Sequence, residues 1–322
     1  MKRPLLITEQ DAYSTIDLQR LSEVFDVHQV GPKSQMELVS LVREFRPEVL
    51  MVGLGLVVGK NEVSGVENLR FVVSPTTGSN HLHTDELETL GIRVVTLRDM
   101  MDGLRSVSST SELAWGLLLV LARRLISAVD STSAGEWQRE KFPGQQLRNK
   151  TLGIVGLGRL GRFVAQYGLA FGMRVIATDS EVTVSQPDVS LVTLRELLTD
   201  SDVVSIHVPL NTSTRGMIGI EEIKEMKAGS LLVNTSRGEV VDESAVASAL
   251  RSGHLGGYGT DVLSGDSAWA GVVQPNPISE VAAEGFNVVI TPHLGGYTHE
   301  AVSHTRQLVV DYVLNLEEYR SS

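Results

Sequence analysis

Between Thr151 and Asp179 the chain runs through an apolar segment, Thr151-Leu152-Gly153-Ile154-Val155, and then Gly156-Leu157-Gly158-Arg159-Leu160-Gly161. A helical stretch, Arg162–Phe171, and a second apolar run, Arg174–Thr178, lead to Asp179. This order predicts a strand–loop–helix–strand unit of a parallel sheet. Gly156 permits a tight turn, Gly158 lets the backbone approach a pyrophosphate, and Gly161 allows the helix to pack closely on the strand. Phosphates then sit on the N–H groups that a helix start leaves unpaired. Glycine turns also occur in plain βα units, but Asp179, eighteen residues beyond Gly161, narrows the choice. A carboxylate there accepts both ribose hydroxyls and repels a 2′-phosphate, and Ser180 follows with no arginine. NAD rather than NADP is the expected cofactor.

The rest of the chain continues the alternation of β-branched runs and helical segments, which predicts an α/β fold with parallel sheets. A chain of 322 residues has room for two domains. The first hundred residues hold five candidate strands, Leu5–Thr8, Val27–Val30, Val49–Val52, Phe71–Ser74 and Arg93–Leu97. Helical stretches such as Ser34–Glu44 and Thr84–Leu90 lie between them, as in a small doubly wound domain. Ser109-Thr110-Ser111-Glu112 reads as a capping box opening a helix whose apolar face carries Leu113, Leu117, Val120, Leu121 and Leu125. The stretch from Ser127 to Lys150 reads as irregular. Six strands follow: Thr151–Val155, Arg174–Thr178, Val203–His207, Leu231–Thr235, Tyr258–Asp261 and Asn287–Thr291. An amphipathic helix, Thr298–Tyr319, closes the chain.

Composition removes several partners. A net charge of −11 argues against nucleic acid or an anionic membrane. No cysteine is present, so disulfides, thiolate metal sites and cysteine nucleophiles are excluded. The longest apolar run, Leu117 to Ala122, is bounded by Arg123 and is too short to cross a bilayer. The N-terminal apolar stretch lasts about four residues, short of the roughly seven a secretory signal needs. The cytoplasm is the expected location.

In open α/β sheets the ligand crevice lies at the carboxyl ends of the strands. Here those ends carry His207-Val208-Pro209, Ser236-Arg237-Gly238, Asp261, and Pro292-His293 with Gly295 and Gly296 beyond. Singly, His207 reads equally well as a satisfied core histidine, Arg237 as a solvated cation and Asp261 as a turn residue. Their common position favours a reaction centre. A guanidinium binds a carboxylate bidentately and polarises an adjacent carbonyl. An imidazole delivers a proton as hydride reaches the same carbon. That is the chemistry of interconverting a 2-keto acid and a 2-hydroxy acid.

The segments TLGIVGLGRLGRFVA, FGMRVIATD, DVVSIHVPLNTSTRGMIG, MKAGSLLVNTSRGEVVDE, GTDV and NVVITPHLGGYTHEA resemble, in order, those of the D-isomer-specific 2-hydroxyacid dehydrogenases. These include the phosphoglycerate, glycerate, D-lactate and glyoxylate/hydroxypyruvate enzymes. SPTTGSNH with GIRVVTL is similar to the family's substrate loop and next strand, and SSTSELAWGLLLVLARR to its interdomain helix. The resemblance implies a Rossmann NAD-binding domain (residues 103–298) inserted in a smaller flavodoxin-like substrate domain (1–102 and 299–322). It implies that Arg237 binds the substrate carboxylate and that His293 is the acid/base. It further implies NAD contacts from Gly156, Gly158, Arg159, Leu160, Gly161, Asp179, His207, Val208, Pro209, Thr214, Thr235, Ser236, Arg237, Asp261, His293 and Gly296. Substrate contacts are implied from Gly55, Gly78 and Ser79. The partners it implies are a small 2-hydroxy or 2-keto acid and a second copy of the chain, a homodimer that the apolar face of the Ser109–Leu125 helix also suggests.

One departure stands out. The family's third catalytic group is usually a Glu five residues after the aspartate at 261, and here that position is Asp266. Asp266 is expected to pair with His293 and raise its pKa, with Glu280 and Glu284 as substitutes. His81 and His83 read as surface histidines with a possible substrate contact. The chain ends at Ser322, so the regulatory extension of the long phosphoglycerate enzymes is not expected. Two other functions fit the same motifs: an NAD-binding regulatory protein without catalysis, and a same-fold dehydrogenase of another small anion such as formate or phosphite.

Overall fold

The structure, a computed structural model, describes residues 2–182, 187–266 and 271–316. These fall into two compact units, one of residues up to 107 with 271–273 and 298–316, the other of 108–266 and 274–297.

The smaller unit is built on β1 (Arg3–Ile7), β2 (Phe25–Gln29), β3 (Val49–Met51), β4 (Phe71–Val73) and β5 (Arg93–Val95). All pairs are parallel and the order is β2-β1-β3-β4-β5, the flavodoxin-like arrangement. Alternation along each strand divides its side chains between two layers. Leu5, Ile7, Met51, Val73 and Val95 pack on one face with Val309, Val310 and Val313 of the C-terminal helix, His299–Asn315. Leu6, Leu50 and Val72 pack on the other with Leu38, Val42 and Leu87. Thr298 caps that C-terminal helix by accepting the Ala301 N–H at 3.1 Å. The expected helix end at Tyr319 lies outside the described residues.

The larger unit contains β6 (Thr151–Val155), β7 (Arg174–Thr178), β8 (Val189–Leu191), β9 (Val203–Ile206), β10 (Ser230–Asn234), β11 (Leu255–Thr260) and β12 (Val288–Ile290). Its parallel sheet runs β12-β11-β10-β9-β6-β7-β8. This is the dinucleotide-binding order with one strand added beyond β11, and the chain reverses direction across the sheet between β6 and β9. All of β6, β9 and β10 is buried.

Four features differ from the sequence reading. The sheet has seven strands among the described residues, because β8 is only Val-Ser-Leu at an edge and is too short to show a period. Residues Leu125–Ser133 are helical, although none of them is buried: the apolar residues Leu125, Ile126 and Val129 lie exposed. The preceding helix, Ser109–Arg123, lacks the expected capping box: its N-cap residue is Ser108, whose hydroxyl donates to Glu112 Oε1 at 2.5 Å instead of capping a backbone N–H, while Ser109 is buried. Its apolar face is consumed by its own core, where Leu117, Leu118 and Leu121 pack with Leu152 and Val233. Exposed Leu125, Ile126, Val129 and Trp137 come after it. No helix among the described residues is long and apolar enough to cross a membrane.

Candidate active site

The helix after β6 starts at Arg159, inside the glycine motif and three residues earlier than its apolar pattern suggested. Gly156 has φ 95°, and a Cβ there would lie 2.7 Å from the His207 carbonyl oxygen. At Gly161 a Cβ would meet the Gly156 carbonyl at 2.1 Å, so helix and loop touch backbone to backbone. Gly158 is different: nothing lies within 4 Å of its Cβ position, which leaves open space at the helix start. A phosphate fits there, against N–H groups at the positive end of the helix dipole.

Asp179 follows β7 and reaches across to this loop. Its Oδ2 accepts the Leu157 N–H at 2.7 Å, and its Oδ1 accepts those of Glu181 (2.8 Å) and Val182 (3.0 Å). Partial burial pushes the carboxyl up, but these three bonds and the Arg162 charge outweigh it, so Asp179 titrates below the usual carboxylate range. An ionised acid fixed beside the loop, with acceptor capacity left on Oδ2, suits a ribose diol. The loop and this acid fit NAD.

Strands β9 to β12 each stop one residue sooner than expected at this edge, so His207, Thr235, Asp261 and Thr291 are the first loop residues. His207 Nε2 lies 2.8 Å from Ser205 Oγ, and its Nδ1 is shut off from solvent without a partner. Burial pulls its pKa down to about 4, so the ring is neutral at pH 7. Beyond Val208 and Pro209, Thr214 Oγ1 donates to the Pro209 carbonyl at 2.6 Å and closes the loop.

After β10, Asn234 organises the turn that presents Arg237. Its Oδ1 accepts the Ser236 N–H (3.0 Å) and hydroxyl (2.7 Å), and its Nδ2 donates to the Arg237 carbonyl at 2.9 Å. Arg237 Nη1 donates to the Ser236 carbonyl at 2.6 Å. Thr235 Oγ1 is buried with no partner. A Cβ on Gly238 would lie 2.2 Å from the backbone of Leu263 and Ser264. That contact seats the Arg237 turn directly against the turn that carries Asp266.

His293 lies beyond β12, and its Nδ1 is 3.1 Å from Asp266 Oδ2. Glu280 and Glu284 face Arg251 instead, with Glu284 at 2.5 Å and Glu280 at 3.8 Å. Asp261, 1% exposed, takes the Thr291 hydroxyl (2.6 Å) and the Leu294 N–H (2.7 Å) on Oδ1. Its Oδ2 takes the Gly295 N–H at 2.7 Å. Burial pushes this carboxyl up, against the lowering effect of those bonds and of His293. Gly296 stands in open space.

No role follows from the sequence for Asn234, Gly238 or Thr291, although Gly238 and Thr291 lie at the strand ends named there. A buried polar residue at the last position of an apolar strand was the available signal for Asn234.

In the smaller unit Gly55 has φ 92° and Gly78 and Ser79 lie in the loop after β4. His83 is exposed, 3.5 Å from Glu86. His81 is not a surface histidine: it is 1% exposed and hydrogen-bonded to Ser74.

Residues 115–295 match the model of the D-isomer specific 2-hydroxyacid dehydrogenase NAD binding domain. Hydroxypyruvate reductase of Thermotoga maritima is 35% identical over 268 residues, which covers 82% of each chain. D-3-phosphoglycerate dehydrogenase of Methanocaldococcus jannaschii is 32% identical over 297 residues, 91% of this chain. The chain spans 54% of that relative's length. Among solved structures, D-lactate dehydrogenase from Aquifex aeolicus, complexed with NAD and lactic acid, superposes with a TM-score of 0.81 at 27% identity. That match covers 98% of this chain and 96% of the other.

Proposed function

This chain belongs to the D-isomer-specific 2-hydroxyacid dehydrogenase family, and from that premise we propose that Arg237, His293 and Asp266 carry its chemistry on a small 2-keto acid. Arg237 pairs with the substrate carboxylate and polarises the neighbouring carbonyl. His293, held through Nδ1 by Asp266, delivers its Nε2 proton to the carbonyl oxygen, and takes it back in the oxidative direction. Asp266 keeps the ring in the tautomer and orientation that leave Nε2 for the substrate. NADH, when bound, supplies the hydride to the carbonyl carbon.

Gly156, Gly158, Arg159, Leu160 and Gly161 hold the pyrophosphate and Asp179 the ribose. His207, Val208, Pro209, Thr214, Thr235, Ser236, Asp261 and Gly296 line the remainder of the cofactor. Gly55, Gly78 and Ser79 contact the substrate. Exposed Leu125, Ile126, Val129 and Trp137 support a homodimer, which sedimentation at micromolar concentration tests.

The observation that carries this reading is the 3.1 Å His293–Asp266 pair on the turn packed against Gly238. The test is NADH oxidation at 340 nm with pyruvate, glyoxylate, hydroxypyruvate and 2-ketobutyrate. Turnover of at least one, abolished in His293→Ala, is expected. Inertness toward all four, with NADH still bound, overturns it.

A further inference from the structure

The loop after β4 is held by a line of side chains that ends on a single carbonyl. Ser74 is 0% exposed, and its Oγ lies 3.1 Å from His81 Nε2 and 3.0 Å from Thr76 Oγ1. Thr76 Oγ1 in turn donates to the Gly78 carbonyl at 2.7 Å.

Counting protons gives the line a direction. A threonine hydroxyl has one hydrogen, and here it is committed to Gly78. Ser74 must then donate to Thr76, and Ser74 must accept from His81, which therefore carries its proton on Nε2. The sequence is His81 to Ser74 to Thr76 to the Gly78 oxygen, each group polarising the next.

The far end of this line is a peptide plane. No cis peptide occurs among the described residues, so the Ser79 N–H points opposite to the Gly78 carbonyl. Pinning that oxygen on Thr76 aims the Ser79 N–H the other way. The neighbouring carbonyls are also engaged within the unit: Leu97 N–H bonds Thr76 O (3.0 Å), Arg98 Nε bonds Thr77 O (3.0 Å) and Leu82 N–H bonds Ser79 O (2.8 Å). Of these anchors, only the one on Gly78 runs through side chains to a buried histidine.

We propose that His81, acting through Ser74 and Thr76, is a positioning residue that presents the Ser79 N–H to the substrate. This rests on the reading above, in which Ser79 contacts the 2-keto acid. It gives a role to a histidine that is buried with its Nε2 on the equally buried Ser74.

The test uses the full chain and two substitutions at one site. Thr76→Val keeps the shape and removes the hydroxyl, whereas Thr76→Ser keeps the hydroxyl. Thr76→Val should raise KM for the 2-keto acid about tenfold, the effect of one misdirected hydrogen bond. NADH affinity should stay at the wild-type value. Thr76→Ser should restore KM, and Ser74→Ala should reproduce the Val phenotype. A wild-type KM in Thr76→Val overturns the proposal, as does NADH affinity falling in step with KM. If wild type turns over no 2-keto acid, the substrate reading has failed and the relay is judged separately. Hydrogen–deuterium exchange across residues 74–82 should then be faster in Thr76→Val than in Thr76→Ser. Equal exchange sinks the relay.

Discussion

His293 donates its backbone N–H to the Asp261 carbonyl at 3.0 Å and sits at φ 55°, a left-handed conformation uncommon for a residue with a side chain. The Asp261 carboxylate binds the residues on both sides of it, Thr291 before and Leu294 and Gly295 after. Two carboxylates thus serve one imidazole: Asp261 holds the backbone and Asp266 the ring. Asp261→Asn turns one acceptor oxygen into an NH2 group facing a donor. We expect a loss of about 2 kcal/mol in stability and at least a tenfold fall in kcat, measured by chemical denaturation and initial rates. Wild-type values for both would show that the loop holds its conformation without Asp261.

Asp266→Asn retains the size of the side chain and removes the charged acceptor that faces His293 Nδ1 at 3.1 Å. A fall in kcat of about 100-fold is expected, the usual scale for proton transfer by a positioned group. NADH dissociation, followed by fluorescence, should not change. A kcat within twofold of wild type would show that His293 needs no partner.

His207 predicts a pH effect on stability. Burial depresses its pKa to about 4 in the folded chain, against 6.5 when unfolded. The unfolded state therefore takes up a proton first as the medium is acidified. This group's contribution is complete above pH 6.5, declines between 6.5 and 4, and amounts to ~3 kcal/mol at most. The Tm of His207→Gln should approach or pass that of wild type across this window. A Tm difference that is constant from pH 7 to 4 would contradict it.

Arg306 of the C-terminal helix and Glu9 just after β1 form an ion pair whose side chains are 10% and 20% exposed. Removing one partner leaves a buried charge uncompensated, at a cost of about 3 kcal/mol. Glu9→Ala should therefore lower Tm more than Arg306→Met combined with Glu9→Leu, which removes both charges. The reverse order in a thermal scan would mean that the pair contributes little.

Much of this was legible along the chain because its signals are local. A strand buried on both faces is a continuous apolar run, so Leu152 to Val155 and Leu231 to Val233 announce themselves. The glycines at 156, 158 and 161 report backbone geometry that few other residues adopt. The segments that escaped notice bury little: β8 has three residues at an edge, and Leu125–Ser133 has no buried face. His81 was misread for a related reason. A lone histidine among Asn80, Leu82 and His83 shows no period, and its burial depends on Ser74 reaching it from a strand end.

What the sequence by itself determined was the class of sheet, the nucleotide loop with its acid, and the strand ends that carry Arg237 and His293. Each depends on residues close together in the chain, where spacing and side-chain type suffice. Only the tertiary structure decided that Asp266, rather than Glu280 or Glu284, faces His293, because all three lie within reach in sequence and Arg251 takes the other two. It likewise decided that Gly238 must be a glycine, since the Leu263–Ser264 backbone it touches belongs to another turn. Pairings of that kind are set by how strands align in the sheet, and one residue of register would undo them.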